Sequence, residues 1–133
     1  MTHPRMFDDD DPALARVREL ALALPEAREK ESHGRPAFFT SKVFAYFGGS
    51  VKGDHNWVQH PQAIMVKLDV DEREALLADG RGWVPGYLGP SGWIGIDIDG
   101  DTDWGEVSEL IETSYRSTAP RTLVRTLDDM WRN

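Results

Sequence analysis

The sequence predicts a single α+β domain. Its 133 residues suit one domain built around one hydrophobic core. Apolar residues recur at helical spacing near both ends of the chain, whereas the centre holds short aromatic and β-branched runs bounded by Gly, Pro and Ser. Helical segments around a block of strands are typical of α+β folds. Residues 1–9 are predicted to be a flexible tail of this domain.

The first helix is predicted over Pro12–Leu24. Asp11 can cap its first turn, and proline is favoured at the first helical position. Pro25 ends the helix, because the residue before a proline avoids the α-helical region. The predicted core-facing residues recur at helical spacing; they are Leu14, Val17, Ala21 and Leu24.

The centre of the chain predicts an edge strand followed by a β-hairpin. Residues 26–33 alternate in charge and form the edge strand; residues 37–39 and 43–47 form the hairpin. Alternation along the second hairpin strand places Val43, Ala45 and Phe47 on one face, and Phe44 and Tyr46 on the other. The polar, glycine-rich residues 48–61 are predicted to be a loop.

The second half predicts two strands and three helices. Strands are expected at 63–68 and 93–98, a short helix at 72–78 and a loop, or a short strand fragment, at 82–92. A capping box of Asp103 and Glu106 opens the longest helix, 104–118, and a final short helix covers 121–131. The residues expected to face the core are Ile94, Ile96, Ile98, Trp104, Val107, Ile111, Tyr115, Leu123, Leu127 and Met130.

Composition restricts the chemistry and the partners. The absence of cysteine excludes disulfides and cysteine-ligated metals, and it suits a cytoplasmic protein. The apolar runs are too short to span a membrane. The net charge of −8 opposes attraction of nucleic acid to the whole surface. The segment from Arg28 to Lys67, however, contains six basic residues and only three acidic ones. We expect a monomer without a cofactor.

Two sequence patterns could suggest a metal, and both are incomplete. Counting an EF-hand loop from Asp97, the glycine and glutamate positions hold Thr102 and Ser108. His55 and His60 have no third ligand nearby in the sequence. No metal site is therefore predicted.

Several blocks of the sequence resemble one family of bacterial proteins. The chain is similar to the MmcQ/YjbR-like family through HGRPAF (33–38) and KVFA (42–45), then GYLG (86–89) and GWIGI (92–96), and finally DW (103–104) and SYRSTAP (114–120). These blocks follow the family order. Phe39 stands where an arginine is common, and the acidic charge is a second departure.

This resemblance implies a two-layer fold similar to frataxin and CyaY. In that fold the first and last long helices pack on one face of an antiparallel sheet. It also implies a DNA-binding role through a double-wing arrangement of hairpins, and no catalytic residue. The similarity to frataxin also suggests a third hypothesis, in which Asp8–Asp11 bind iron.

The first functional hypothesis is a non-catalytic interaction module that binds DNA through the basic hairpin region. Basic side chains would contact phosphates, and neighbouring aromatic rings would contact bases. The expected nucleic-acid-binding residues are Arg35, Lys42, Lys52, Arg121 and Arg125. A protein partner for the same region is a further possibility.

The second hypothesis is a small-molecule or enzymatic pocket between the sheet and loops 48–61 and 82–92. Aromatic walls with a few polar groups suit such a pocket, whose expected lining is His33, Arg35, Trp57, Tyr87, Ser91 and Trp93. His33 would be the general acid or base, or its hydrogen bond would instead hold the turn before Pro36. Ser91 lacks the glycine spacing of a nucleophile elbow.

Overall fold

A six-stranded antiparallel sheet and four helices form the protein, which confirms the α+β prediction. The structure is a computed structural model that describes residues 4–132. The helices are α1 (Pro12–Leu22), α2 (Val70–Ala78), α3 (Trp104–Thr118) and α4 (Arg121–Arg132). The strands are β1 (Arg28–Ser32), β2 (Arg35–Phe39), β3 (Val43–Lys52), β4 (Trp57–Lys67), β5 (Gly82–Trp83) and β6 (Trp93–Asp97), in the spatial order β1-β2-β3-β4-β6-β5.

Helices α1 and α3 cover one face of the sheet, as the resemblance implied. Tyr115 of α3 is fully buried, and its ring meets Phe44 edge to face at 5.2 Å between centroids. Its hydroxyl donates a 2.7 Å hydrogen bond to the carbonyl of Pro25, which ties α3 to the chain just after α1. Trp104 is only half-buried, and the guanidinium of Arg16 lies over its ring.

Asp11 and Asp103 cap α1 and α3 as predicted, but two details differ. The side chain of Asp11 accepts from the amide of Ala13, and α1 ends at Leu22 rather than Leu24. Asp103 accepts from the amides of Gly105 and Glu106. The carboxylate of Glu106 binds Arg81, so the predicted return bond of a capping box is wrong.

A β-bulge changes the predicted faces of β3. Phe39 pairs with Val43 and Phe38 with Ala45, which leaves Phe44 as the extra residue. Phe44 therefore turns toward the helices, where it joins Ala45 and Phe47 in the core. The prediction that it shares a face with Tyr46 is wrong, because simple alternation fails at a bulge.

The predicted loop 48–61 is largely a continuation of the β3–β4 hairpin. Gly48 has φ +81° at a second bulge, after which Gly49 pairs with His60 and Lys52 with Trp57. Only residues 53–56 form the turn, closed by a 2.8 Å hydrogen bond from the amide of Gly53 to the carbonyl of Asn56. The ladders to β2 and β6 stop at Tyr46 and Ala63, so this part of the hairpin is a two-stranded arm.

The two-residue turn between β1 and β2 is His33-Gly34. Both residues have positive φ, +53° and +82°, as a type I′ hairpin turn requires. The N-terminal segment lies against this turn, where the amide of Met6 donates to the carbonyl of Gly34 at 2.8 Å. Phe7 also packs on the core, so part of the predicted tail makes defined contacts; residues 1–3 lie outside the described residues.

Helix α4 contributes Leu127 to the core and half-buries Leu123. Met130, expected to face inward, is 53% exposed, so that prediction is wrong. All described residues of α4 after Asp128 are exposed, so the last turn of the helix extends beyond the surface that α4 covers. No helix in the described part of the chain is both long and apolar enough to span a bilayer.

Candidate functional site

The sheet face away from α1 and α3, here called the outer face, is partly covered by the ring of Trp83. A Cβ atom on Gly49 or Gly95 would collide with this ring. The absence of a side chain at these two positions therefore provides the space that the Trp83 ring occupies. Met65 lies beside Gly49 and is 5% exposed. The indole of Trp83 therefore seals one half of the outer face, and a cavity occupies the adjoining half.

This outer-face cavity has a volume of about 560 Å³. Tyr46, Gly49 and Met65 form its floor on β3 and β4. The other lining residues come from the N-terminal segment, the β1–β2 turn, the two-stranded arm and the loop after β5; they are Met6, Ser32, His33, Arg35, Ser50, Trp57, Gln59, Pro85, Gly86, Tyr87 and Leu88. Four separate segments thus meet around one space.

An aromatic pair forms one wall of the cavity. The rings of Trp57 and Tyr87 lie 5.3 Å apart at an interplanar angle of 35°. A side chain on Gly86 would collide with the Trp57 indole, and the Gly86 amide donates a 3.0 Å hydrogen bond to the carbonyl of Ser50. Glycine at position 86 therefore allows the loop after β5 to pack closely against the arm.

Two lining residues have a strained backbone. Tyr87 has φ +63° and His33 has φ +53°, in the left-handed region that side chains other than glycine seldom adopt. In the part of the chain that the structure describes, Glu26 is the one further non-glycine residue of this kind. The value at His33 belongs to the type I′ turn, which leaves Tyr87 as the lining residue whose strain is of the kind that is concentrated at binding and catalytic sites.

Arg35 is the buried cation of the cavity. Only 7% of the residue is exposed, and its Nη2 atom donates a hydrogen bond to the amide oxygen of Gln59. Burial lowers the pKa of its guanidinium, with no acidic neighbour acting in the opposite direction among residues 4–132. A guanidinium nevertheless stays charged at neutral pH, so the cavity wall carries a buried positive charge.

The floor is held in place by contacts of Tyr46. Its ring lies 5.3 Å from that of Trp93, inclined by 61°. Burial raises the pKa of the Tyr46 phenol, against the opposing effect of its hydrogen bond with Ser32. Trp93 is 7% exposed and supports this floor without lining the cavity.

The structure brings together four of the six predicted pocket residues. His33, Arg35, Trp57 and Tyr87 line the cavity, whereas Trp93 lies beside its floor. Ser91 is exposed in a short 3₁₀ turn, Gly89–Ser91, outside the lining. Sequence reasoning missed Met65 and Gln59, although alternation along the predicted strand at 63–68 placed Met65 on the face opposite Ile64.

The predicted nucleic-acid contacts are dispersed. Lys42 and Lys52 are both exposed, and their separation of ten positions corresponds to about 30 Å along a strand. Arg121 and Arg125 are exposed on the first turns of α4, while Arg35 faces the cavity. The lysines therefore lie at opposite ends of β3.

A polar cluster of His60 and Asp97 contacts the indole of Trp83. The imidazole of His60 stacks on the indole at 4.2 Å, and its Nδ1 atom lies 2.7 Å from an oxygen of Asp97. The same oxygen accepts a 3.1 Å hydrogen bond from the Trp83 indole nitrogen. Between residues 4 and 132, no three His, Asp or Glu side chains lie close enough to hold a metal ion.

The carboxylates of the N-terminal acidic run contact groups of their own chain. Asp9 lies 2.7 Å from Nη2 of Arg18, and this hydrogen bond lowers the pKa of Asp9. Asp11 caps α1. Both side chains thus have a structural role at the start of α1.

Comparison with known proteins adds a family and a related structure. The family model described as YjbR matches residues 22–117. A crystal structure of the Deinococcus radiodurans protein DR2400, with the domain DUF419, is similar at a TM-score of 0.54 and 19% identity, covering 77% of this chain and 75% of that one. At this identity the similarity concerns the fold alone. No curated protein matches the chain.

Proposed function

This chain belongs to the YjbR family, and we propose that it is a small-molecule-binding protein whose site is the outer-face cavity. The membership confirms the resemblance inferred from the sequence motifs. The observation that carries the proposal is the cavity itself, whose volume of about 560 Å³ lies within the usual range of ligand sites.

The chemistry of the lining supports a ligand with a flat apolar body. The rings of Trp57, Tyr87 and Tyr46 offer faces and edges for stacking, and Met65 offers an adaptable thioether. A few polar groups, among them Arg35 and Gln59, would orient the ligand. This combination of aromatic walls with few polar groups is typical of small-molecule sites.

Replacing Trp57 with alanine is expected to weaken the binding of a flat apolar probe about tenfold, since one stacking wall is lost. The neutral dye N-phenyl-1-naphthylamine, whose fluorescence rises in apolar surroundings, is a suitable probe. Trp57 is 37% exposed on the arm, so its loss should leave the core intact. A fluorescence titration of both proteins measures the change.

Val58→Ala is the matched control for this change. Val58 follows Trp57 on β4, is 50% exposed and does not line the cavity. Its replacement should leave the dissociation constant unchanged. If the dye does not bind saturably to the unmodified protein, or binds equally to Trp57→Ala, the proposal is wrong.

DNA binding through the basic hairpin region is the alternative to the cavity, and a separate titration tests it. With a net charge of −8 and its two hairpin lysines at opposite strand ends, the protein is expected to bind labelled duplex DNA with a dissociation constant weaker than about 100 μM at about 50 mM salt. Micromolar binding that falls steeply with salt, and that is weakened in Lys42→Gln and Lys52→Gln, would contradict this expectation and support the double-wing model.

A further inference from the structure

We propose that the ligand of the outer-face cavity carries a carboxylate and that the buried guanidinium of Arg35 binds it. The inference rests on the proposed function, since it names the chemistry of that ligand. Three observations carry it: the burial of Arg35, the absence of an acidic partner for it in the described part of the chain, and the composition of the remaining lining.

The burial of Arg35 is costly unless an anion compensates its charge. At 7% exposure the residue has lost most of its contact with water. Arg18 and Arg116, by comparison, pair with carboxylates while more exposed than Arg35. No ion pair formed between residues 4 and 132 includes Arg35. A buried charge is usually paired, so an anion from solution is the missing partner.

The position of the guanidinium is fixed on two sides. A Cβ atom on Gly48 would collide with its Nη1 atom, so the backbone of β3 lies directly against the group. On the other side Gln59 accepts a hydrogen bond from Nη2. A guanidinium has five N–H donors, and a neutral amide oxygen leaves both its charge and further donors available. Arg35 is thus held in place before any ligand arrives.

A cavity with a single cation among its described lining residues suits a singly charged carboxylate better than a phosphate ester. A carboxylate has one negative charge and two coplanar oxygens that match the guanidinium edge. A phosphate ester carries up to two charges and usually requires several donors or cations. Arg35 is the one Arg or Lys among the described lining residues, and the other walls are largely aromatic. An aromatic carboxylate therefore complements both the positive charge of Arg35 and the aromatic walls of the cavity.

Displacement of the dye by charged and neutral competitors tests whether the cavity prefers an anion. Naphthalene-2-carboxylate and naphthalene-2-carboxamide have nearly the same shape, but only the first is an anion. We expect the carboxylate to displace N-phenyl-1-naphthylamine at a concentration about tenfold lower than the carboxamide does, because a charge-assisted hydrogen bond is stronger than a neutral one. Naphthyl phosphate, as a third probe, should compete less well than the carboxylate.

Gln59→Glu is the decisive variant. It changes one atom of an exposed side chain and supplies Arg35 with the acidic partner that the described residues lack. We expect it to abolish the preference for the carboxylate, so that the concentrations at which the carboxylate and the carboxamide displace the dye become equal within about twofold. Arg35→Gln should have the same effect on the preference, and circular dichroism would check that this variant is folded.

Gln62→Glu is the matched control, because it makes the same change on the same strand outside the cavity lining. It should retain the carboxylate preference, even though its side chain lies beside Asp11. Equal displacement by the carboxylate and the carboxamide, or a preference that persists in Gln59→Glu, would overturn the inference and leave the proposed function standing. A dye that does not bind would overturn both.

Discussion

Replacing Trp93 with alanine is expected to lower the free energy of unfolding by about 3–5 kcal/mol, the usual cost of removing a large buried aromatic ring. Trp93 is 7% exposed, and its ring packs against that of Tyr46. Its loss leaves a space under the outer face that the paired strands β3, β4 and β6 cannot close by collapse. Urea or guanidinium denaturation measures the change.

Trp131→Ala is the control for this experiment. Trp131 is 68% exposed on α4, so the same substitution there should cost less than about 0.5 kcal/mol. Trp93→Phe keeps a ring beside Tyr46 and should lose less stability than Trp93→Ala. A denaturation midpoint for Trp93→Ala equal to that of the unmodified protein would show that the ring does not contribute to the core.

Replacing Ser114 with alanine is expected to lower the free energy of unfolding by about 2–4 kcal/mol, because a buried carbonyl and a partly buried amide lose their partner. Ser114 is fully buried on α3. Its hydroxyl donates to the carbonyl of Phe44 at 2.6 Å and accepts from the amide of Lys67 at 2.9 Å. The bond to Phe44 satisfies a carbonyl at the bulge, where ladder pairing is interrupted.

Ser117→Ala provides the comparison for Ser114. Ser117 lies one turn further along α3, is exposed, and donates to the carbonyl of Ser114 within the helix. We expect a change below about 0.5 kcal/mol there. Equal effects of the two substitutions in thermal or chemical denaturation would mean that the bridge from α3 to the sheet does not stabilise the fold.

The architecture could be predicted because several local signals agreed. Asp11 with Pro12 marked the start of α1, and Asp103 marked the start of α3. The alternation of Ile94, Ile96 and Ile98 gave the correct core face of β6. In each case the signal depends on residues close together in the sequence.

The bulges could not be predicted, because they depend on the partner strand. Nothing in the run from Val43 to Phe47 shows that Phe39 pairs with Val43 while Phe38 pairs with Ala45. The arm was missed for a related reason, since the glycines at 48 and 49 suggest a loop. Gly48 instead makes a bulge, and Gly49 makes room for Trp83.

The cavity could be predicted only in part. Aromatic residues in the two predicted loops indicated Trp57 and Tyr87, which do form a wall. The turn before Pro36 was predicted, but its two-residue form at His33-Gly34 was not, although histidine is among the residues that tolerate the left-handed region. Arg35 was predicted both as a phosphate contact and as a pocket residue, and it lines the cavity. Its burial depends on the backbone at Gly48, which is distant in sequence.

The two-stranded arm has a mechanical consequence for entry into the cavity. Between Gly49 and His60 each strand has a single neighbouring strand, and such ribbons are only marginally stable alone. Bending at Gly48 would move the indole of Trp57 without breaking the ladders of β2 and β6, but it would break the hydrogen bond between Gly86 and Ser50 and the stack of His60 on Trp83. Because Gln59 lies on this arm and Gly48 lies at its base, any movement that widens the mouth of the cavity also changes the contacts that hold the Arg35 guanidinium.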